Sequence, residues 1–182
     1  EYGEGDIFWG ITVPVQRGIA KQHTDADLAA IGELLDEPVH ECRLTALLIL
    51  VAKYSKGDDN VRKQIADFYL SKADRINNWD LVDLSADKII GHYLMDKERS
   101  LLYTLAESSS LWEQRIAVLS TFRFIKNSDF KDTLAICEKL MDHKHDLIHK
   151  AAGWMLREAG KRDLMILLDF LDKHHKKMPR TM

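Results

Sequence analysis

At 182 residues the chain is long enough for one domain with a sizeable core, and 46% hydrophobic with 30% charged content excludes wholesale disorder. Three prolines and nine glycines argue against a turn-rich β fold, and the two cysteines, Cys42 and Cys137, form no metal-ligand cluster and read as reduced core residues. The net charge of −3 does not mark a nucleic-acid binder, yet residues 91–182 hold 16 basic against 13 acidic side chains, leaving 10 against 16 for residues 1–90.

Six of the eight histidines also lie in the second half. Such asymmetry fits chance unevenness as well as a basic face that meets a polyanion, and composition alone leaves both open. Residues 1–6 lack the basic and apolar runs of a signal peptide, and no apolar stretch reaches the length of a membrane span. The expected setting is therefore cytoplasmic, in the cytosol or on the nucleoid, with no membrane contact.

In chain order, Pro14 can open a first helix through about His23, and Asp25 or Asp27 can cap a second that ends near Asp36. Pro38 starts a strongly apolar helix over 39–54, stopped by Ser55, Lys56 and Gly57. Helical spacing then predicts segments over 59–73, 79–94, 98–107, 111–126, 129–141, 146–159 and 162–175. Asn78 is a suitable cap for the helix that begins at Trp79, and Ser110 with Glu113 has capping-box spacing. About ten helices with no linker between them imply one all-α domain over 1–182, and a monomer is expected.

A repeat runs through these helices. Arg43, Asp83, Arg115 and Lys150 each precede small and apolar residues, at separations of 40, 32 and 35. That irregular period is the mark of a HEAT-like α-solenoid built from antiparallel helix pairs. Equivalent positions on successive repeats would then line one concave basic groove, carrying three cations and one carboxylate.

Asp83 is the exceptional member. It stands four residues after Trp79, so indole and carboxylate share a helix face. Its ordinary reading is an acid favoured by the helix dipole or paired with a neighbouring arginine. Its chemical reading is a carboxylate that stabilises an oxocarbenium ion when the leaving group is already activated. Trp154 follows Lys150 by four and repeats the geometry, so Trp79 and Trp154 could contact a sugar or an alkylated base. Arg115 and Lys150 are the phosphate candidates, with Arg157, Lys161 and Arg162 extending the strip, although a solvated face or an ion pair fits Lys150 nearly as well. Trp9 and Trp112 read as structural. His143, His145 and His149 offer one i,i+4 pair with no completing carboxylate, so no metal and no cofactor is expected.

The segments Trp79-Asp80-Leu81-Val82-Asp83, Leu111-Trp112-Glu113-Gln114-Arg115-Ile116-Ala117 and His149-Lys150-Ala151-Ala152-Gly153-Trp154 resemble the hallmark stretches of the AlkD-like DNA alkylation repair glycosylases. Residues 8–14 and 178–182 are similar to that family's ends, and the likeness covers essentially the whole chain. It implies a HEAT-like fold whose groove holds duplex DNA carrying N3- or N7-alkylated purines. Asp83 would be the catalytic carboxylate, Trp79 and Trp154 the aromatic cleft, and Arg115 the phosphate contact there. The base would be hydrolysed off without extrusion into a pocket, as a first step of base excision repair. Relatives carry a further helical segment at both ends, and the expectation is a domain that lacks those terminal helices. A non-catalytic helical-repeat protein, either a protein scaffold or a reader of distorted DNA, is the competing expectation.

Overall fold

The computed structural model describes residues 5–182, and the chain divides into two units, Glu1–Ile89 and Ile90–Met182. Helices account for the regular structure of the described residues, where the single β-type feature is an isolated bridge between Ile7 and Val39.

In the first unit, α1 (Val13–Gln22) carries Pro14 in its first turn, where a missing N–H costs the helix nothing. Helix α2 (Leu28–Asp36) is capped by Asp27, whose side chain accepts from the Ala30 N–H at 2.8 Å. Both pack on α3 (His40–Lys56), the buried centre of the unit. Leu44, Leu47 and Leu50 are buried there, and so are His40, Glu41 and Arg43 near its start. A helix apolar on most of its circumference has to sit inside. The polar residues at its beginning must therefore find partners inside as well.

Pro38 does not open α3 as expected. The Ile7 N–H donates to the Pro38 carbonyl at 3.5 Å and the His40 N–H to the Ile7 carbonyl at 2.8 Å, so this stretch pairs with the N-terminal segment before the helix begins. Helix α4 (Asp59–Ser71) is capped by Asp58, and a 3-10 turn at Ala73–Arg75 leads to α5 (Trp79–Asp83).

The helix predicted over 79–94 is not continuous. Helix α5 ends at Asp83 and a π-helical segment follows at Asp87–Gly91. Buried Ser85 lies at the break, its hydroxyl donating to the Leu81 carbonyl at 2.5 Å and pairing with the Tyr69 hydroxyl at 2.9 Å. A side chain that takes a main-chain acceptor competes with the helical ladder.

In the second unit, α6 (Ser100–Ala106) packs on α7 (Leu111–Ser120), and α7 packs on α10 (Asp146–Gly160). The predicted helix over 111–126 is divided at Thr121 into α7 and the short α8 (Phe122–Ile125). Here too a buried hydroxyl turns on the main chain, with Thr121 Oγ1 donating to the Val118 carbonyl at 2.7 Å. Helix α9 (Lys131–Lys139) and α11 (Leu164–His174) lie against α10. Ile116, Phe124, Ile136, Ile148 and Met155 form the core of this unit. Gly91 admits a close approach: a Cβ there would meet the Ser120 carbonyl oxygen and lie 2.9 Å from Arg123 Cβ.

No helix among the described residues is long and apolar enough to cross a membrane.

Candidate active site

The residues of interest fall in both units. In the first, Asn78 caps α5 as expected, its Oδ1 accepting from the Trp79 N–H at 2.7 Å. Leu81 and Val82 are fully buried and hold the inner face of this short helix. Trp79, 46% exposed, and the half-buried Asp83 stand one turn apart. Indole and carboxylate therefore occupy successive turns of one helical face, as their spacing predicts.

Beneath that pair lies a polar network that sequence spacing did not bring together. His40, at the start of α3, places Nδ1 3.0 Å from Asp6 Oδ2 and Nε2 2.8 Å from Asp80 Oδ2. Arg43 pairs with Asp6 Oδ1, and Asn78 Nδ2 donates to Asp6 Oδ2 at 2.8 Å. Burial penalises the imidazolium, but the bonds and charges of Asp80 and Asp6 outweigh it and raise the His40 pKa. Burial likewise opposes ionisation of Asp6, and its bonds to Arg43, Asn78 and His40 outweigh that and hold it below the usual range.

Arg43, expected among the groove cations, is thus a buried partner of Asp6, its side chain only 4% exposed. The cause is that α3 is the most enclosed helix of its unit, and a cation there requires an internal counter-charge.

Glu41 anchors the neighbouring loop. Its Oε1 accepts from the main-chain N–H groups of Trp9, Gly10 and Ile11 at 3.1, 2.7 and 3.2 Å. Burial alone would raise its pKa, but these donors prevail and lower it. Gly10 has φ of +79°, which a side chain would resist. Trp9, expected in the interior, is instead 63% exposed at the edge of a mostly apolar cleft between α1, α2 and α3. The loop is fixed through its main chain, so the indole needs no core contact to be held.

In the second unit α10 carries Lys150, Trp154 and Arg157. Lys150 is exposed and pairs with Asp146 Oδ2 at 2.8 Å, the i,i+4 ion pair that its ordinary reading anticipates. Trp154 is half-buried, its ring centroid 5.7 Å from that of Phe122, and Arg157 is exposed. Arg115 is buried on α7, where Nη1 donates to the Leu147 carbonyl in the first turn of α10 at 2.6 Å. Its guanidinium is fixed in place by α10, whereas Lys150 and Arg157 are carried on the surface. His143 and His145 accept from the main-chain N–H groups of His145 and Leu147 at 3.0 and 3.2 Å, so they shape the start of α10. Cys137 is buried and Cys42 half-buried, both as free thiols.

A family model described as DNA alkylation repair enzyme matches residues 2–182. The chain belongs to the DNA alkylation repair enzyme family. Among solved structures it is similar to a chain described as a predicted DNA alkylation repair enzyme from Enterococcus faecalis, with a TM-score of 0.72 at 16% identity, over 93% of this chain and 83% of that one. At that identity the likeness establishes the fold, which is all-α and of the α-solenoid class. No curated protein matches the sequence significantly. Membership of the DNA alkylation repair family carries a role in repairing alkylated DNA, and DNA as the substrate class.

Asp6, His40 and Asp80 are the site-supporting residues that the sequence reading missed. A histidine at the start of an apolar helix, with aspartates more than thirty residues away on either side, carries no periodic signal. An asparagine and an aspartate flanking Trp79 were the available hint, since both can reach back from the helix start.

Proposed function

We propose that the protein is a monofunctional alkylpurine DNA glycosylase that hydrolyses the N-glycosidic bond of N3- and N7-alkylated purines in duplex DNA. The observation that carries this reading is the Trp79–Asp83 pair on α5, in a chain of the DNA alkylation repair family. An alkylated purine is a cation, so the C1′–N bond breaks with its electron pair returning to the base nitrogen. The base leaves neutral and the positive charge passes to the sugar. Asp83 stabilises that oxocarbenium ion electrostatically and orients the water that attacks C1′. No acid is needed to protonate the leaving group, so one carboxylate suffices where ordinary glycoside hydrolysis uses two.

Trp79 supplies an exposed indole for the sugar and the cationic base. Lys150 and Arg157 are the exposed cations for phosphate and Trp154 the indole for the backbone, and Arg115, buried against the Leu147 carbonyl, is the remaining phosphate candidate, whose part the salt dependence below decides. An exposed tryptophan on a short helix suits recognition without base extrusion, a departure from the usual strategy of enzymes that act on bases.

The direct test is to incubate the purified protein with methylated duplex DNA and quantify the free bases. Release of 7-methylguanine or 3-methyladenine is expected. Retention on DNA with no base release would replace the enzyme by a reader of distorted DNA, and failure to bind DNA at low salt would favour a protein scaffold. For the phosphate contacts, Arg115→Ala is expected to weaken DNA binding and reduce the slope of log K against log salt by about 0.9, the value for one phosphate lost. An unchanged slope with a lowered melting temperature would assign Arg115 to joining α7 and α10 alone.

A further inference from the structure

Three distant stretches of sequence meet at one imidazole. Asp6 comes from the N-terminal segment, His40 from the start of α3, and Asp80 from the first turn of α5. Ionised carboxylates only accept hydrogen bonds, so both ring nitrogens must carry protons for both contacts to form. A neutral imidazole has one N–H. Either tautomer would leave a lone pair facing a carboxylate oxygen at about the same 3 Å separation, which is repulsive.

The groups that face His40 favour its protonated state. Asp6 lies on one side, with Arg43 from the next turn of α3 and the neutral Asn78 also bound to it. Asp80 lies on the other, and its second oxygen is buried with no hydrogen-bond partner among the described residues. The Phe8 ring covers the imidazole at 5.0 Å between centroids. Glu41, the adjacent acid on α3, is turned to the main chain of residues 9–11. Helix α5 is therefore tied down at two points, through Asp80 directly to His40 and through Asn78 to the aspartate beside it.

We propose that His40 is a positioning residue: its imidazolium clasps the first turn of α5 to Asp6 and α3, orders the segment that carries Trp79 and Asp83, and releases it when the proton is lost. The ordering of α5 is independent of what Asp83 does; the consequence for base excision rests on the glycosylase reading. His40 is charged more readily in the folded chain than in the unfolded one, so the clasp is fully present below the ordinary histidine pKa of 6.5 and is lost as pH rises through the raised folded value.

The test is amide hydrogen exchange at Val82 and Leu84, whose N–H groups bond to the Asn78 and Asp80 carbonyls. It is read on the full chain from pH 6 to 9.5, corrected for intrinsic rate, with the His40 ring resonances followed in parallel. Protection in the native chain is expected to fall at least about fivefold as His40 titrates. His40→Gln should show low protection with no pH step, and Asp80→Asn, which keeps an acceptor but removes a charge, should move the step to lower pH. Protection that is flat across the His40 titration, or a step unmoved in Asp80→Asn, overturns the clasp even if His40→Gln does not fold. Excision of 7-methylguanine on the same samples should follow the same pH step. A native chain that releases no base at any pH removes the glycosylase reading, while the exchange data still decide the clasp.

Discussion

Asp83→Asn is expected to cut release of 7-methylguanine from methylated duplex DNA by at least about tenfold, equivalent to about 1.4 kcal/mol of transition-state stabilisation. Asparagine matches the shape of the aspartate and removes only the charge, so DNA affinity and folding should stay close to those of the native chain. The size follows from electrostatics. Unit charges about 4 Å apart interact by about 4 kcal/mol at the effective dielectric of a protein surface, which sets an upper range near a thousandfold. Single-turnover excision with enzyme in excess isolates the chemical step. An excision rate equal to that of the native chain would remove Asp83 from the mechanism. A parallel loss of affinity would instead mark it as a structural acid at the end of α5.

The second large effect is on stability. Gly91→Ala places a methyl group against the Ser120 carbonyl oxygen and 2.9 Å from Arg123 Cβ. A carbonyl at the end of α7 cannot rotate aside as a side chain does, so the strain has to be relieved by separating two chain segments. Overpacking of this kind costs about 1–3 kcal/mol, against which alanine's better helix propensity returns up to about 1 kcal/mol. With the main chain as the obstacle, the upper part of that range applies, and a fall in melting temperature of about 4–8 °C is expected for a chain of this length. Thermal unfolding followed by circular dichroism measures it. A melting temperature within about 1 °C of the native value would show that the π-helical segment at Asp87–Gly91 yields freely to admit the methyl group.

The fold was legible in the sequence wherever a helix had one apolar face or an obvious cap. Asp27, Asn78 and Ser110 all cap helices as their positions suggest, and the apolar run of α3 is buried as its composition requires. The breaks were not legible. Ser85 and Thr121 stand at the interruptions with their hydroxyls bonded to carbonyls of the preceding turn, and nothing in their spacing distinguishes them from solvent-facing residues. The candidate site divides in the same way. Trp79 and Asp83 share one helical face, so a spacing of four was enough to place them. Arg43 and Arg115 looked like surface cations, yet each is buried against a partner more than thirty residues away in sequence. A long side chain in a repeat can point inward or outward with the same local pattern, and only its distant neighbours settle the direction.

Glu41 has a consequence for how this surface can change. What its carboxylate grips is the peptide backbone of residues 9–11, so recognition is blind to the side chains there. Positions 9 and 11 can be exchanged while the grip persists, whereas position 10 is restricted by its left-handed conformation. The indole of Trp9 is therefore a replaceable head on a fixed mount. Selection could retune what this edge of the molecule touches without first having to rebuild the scaffold that carries it.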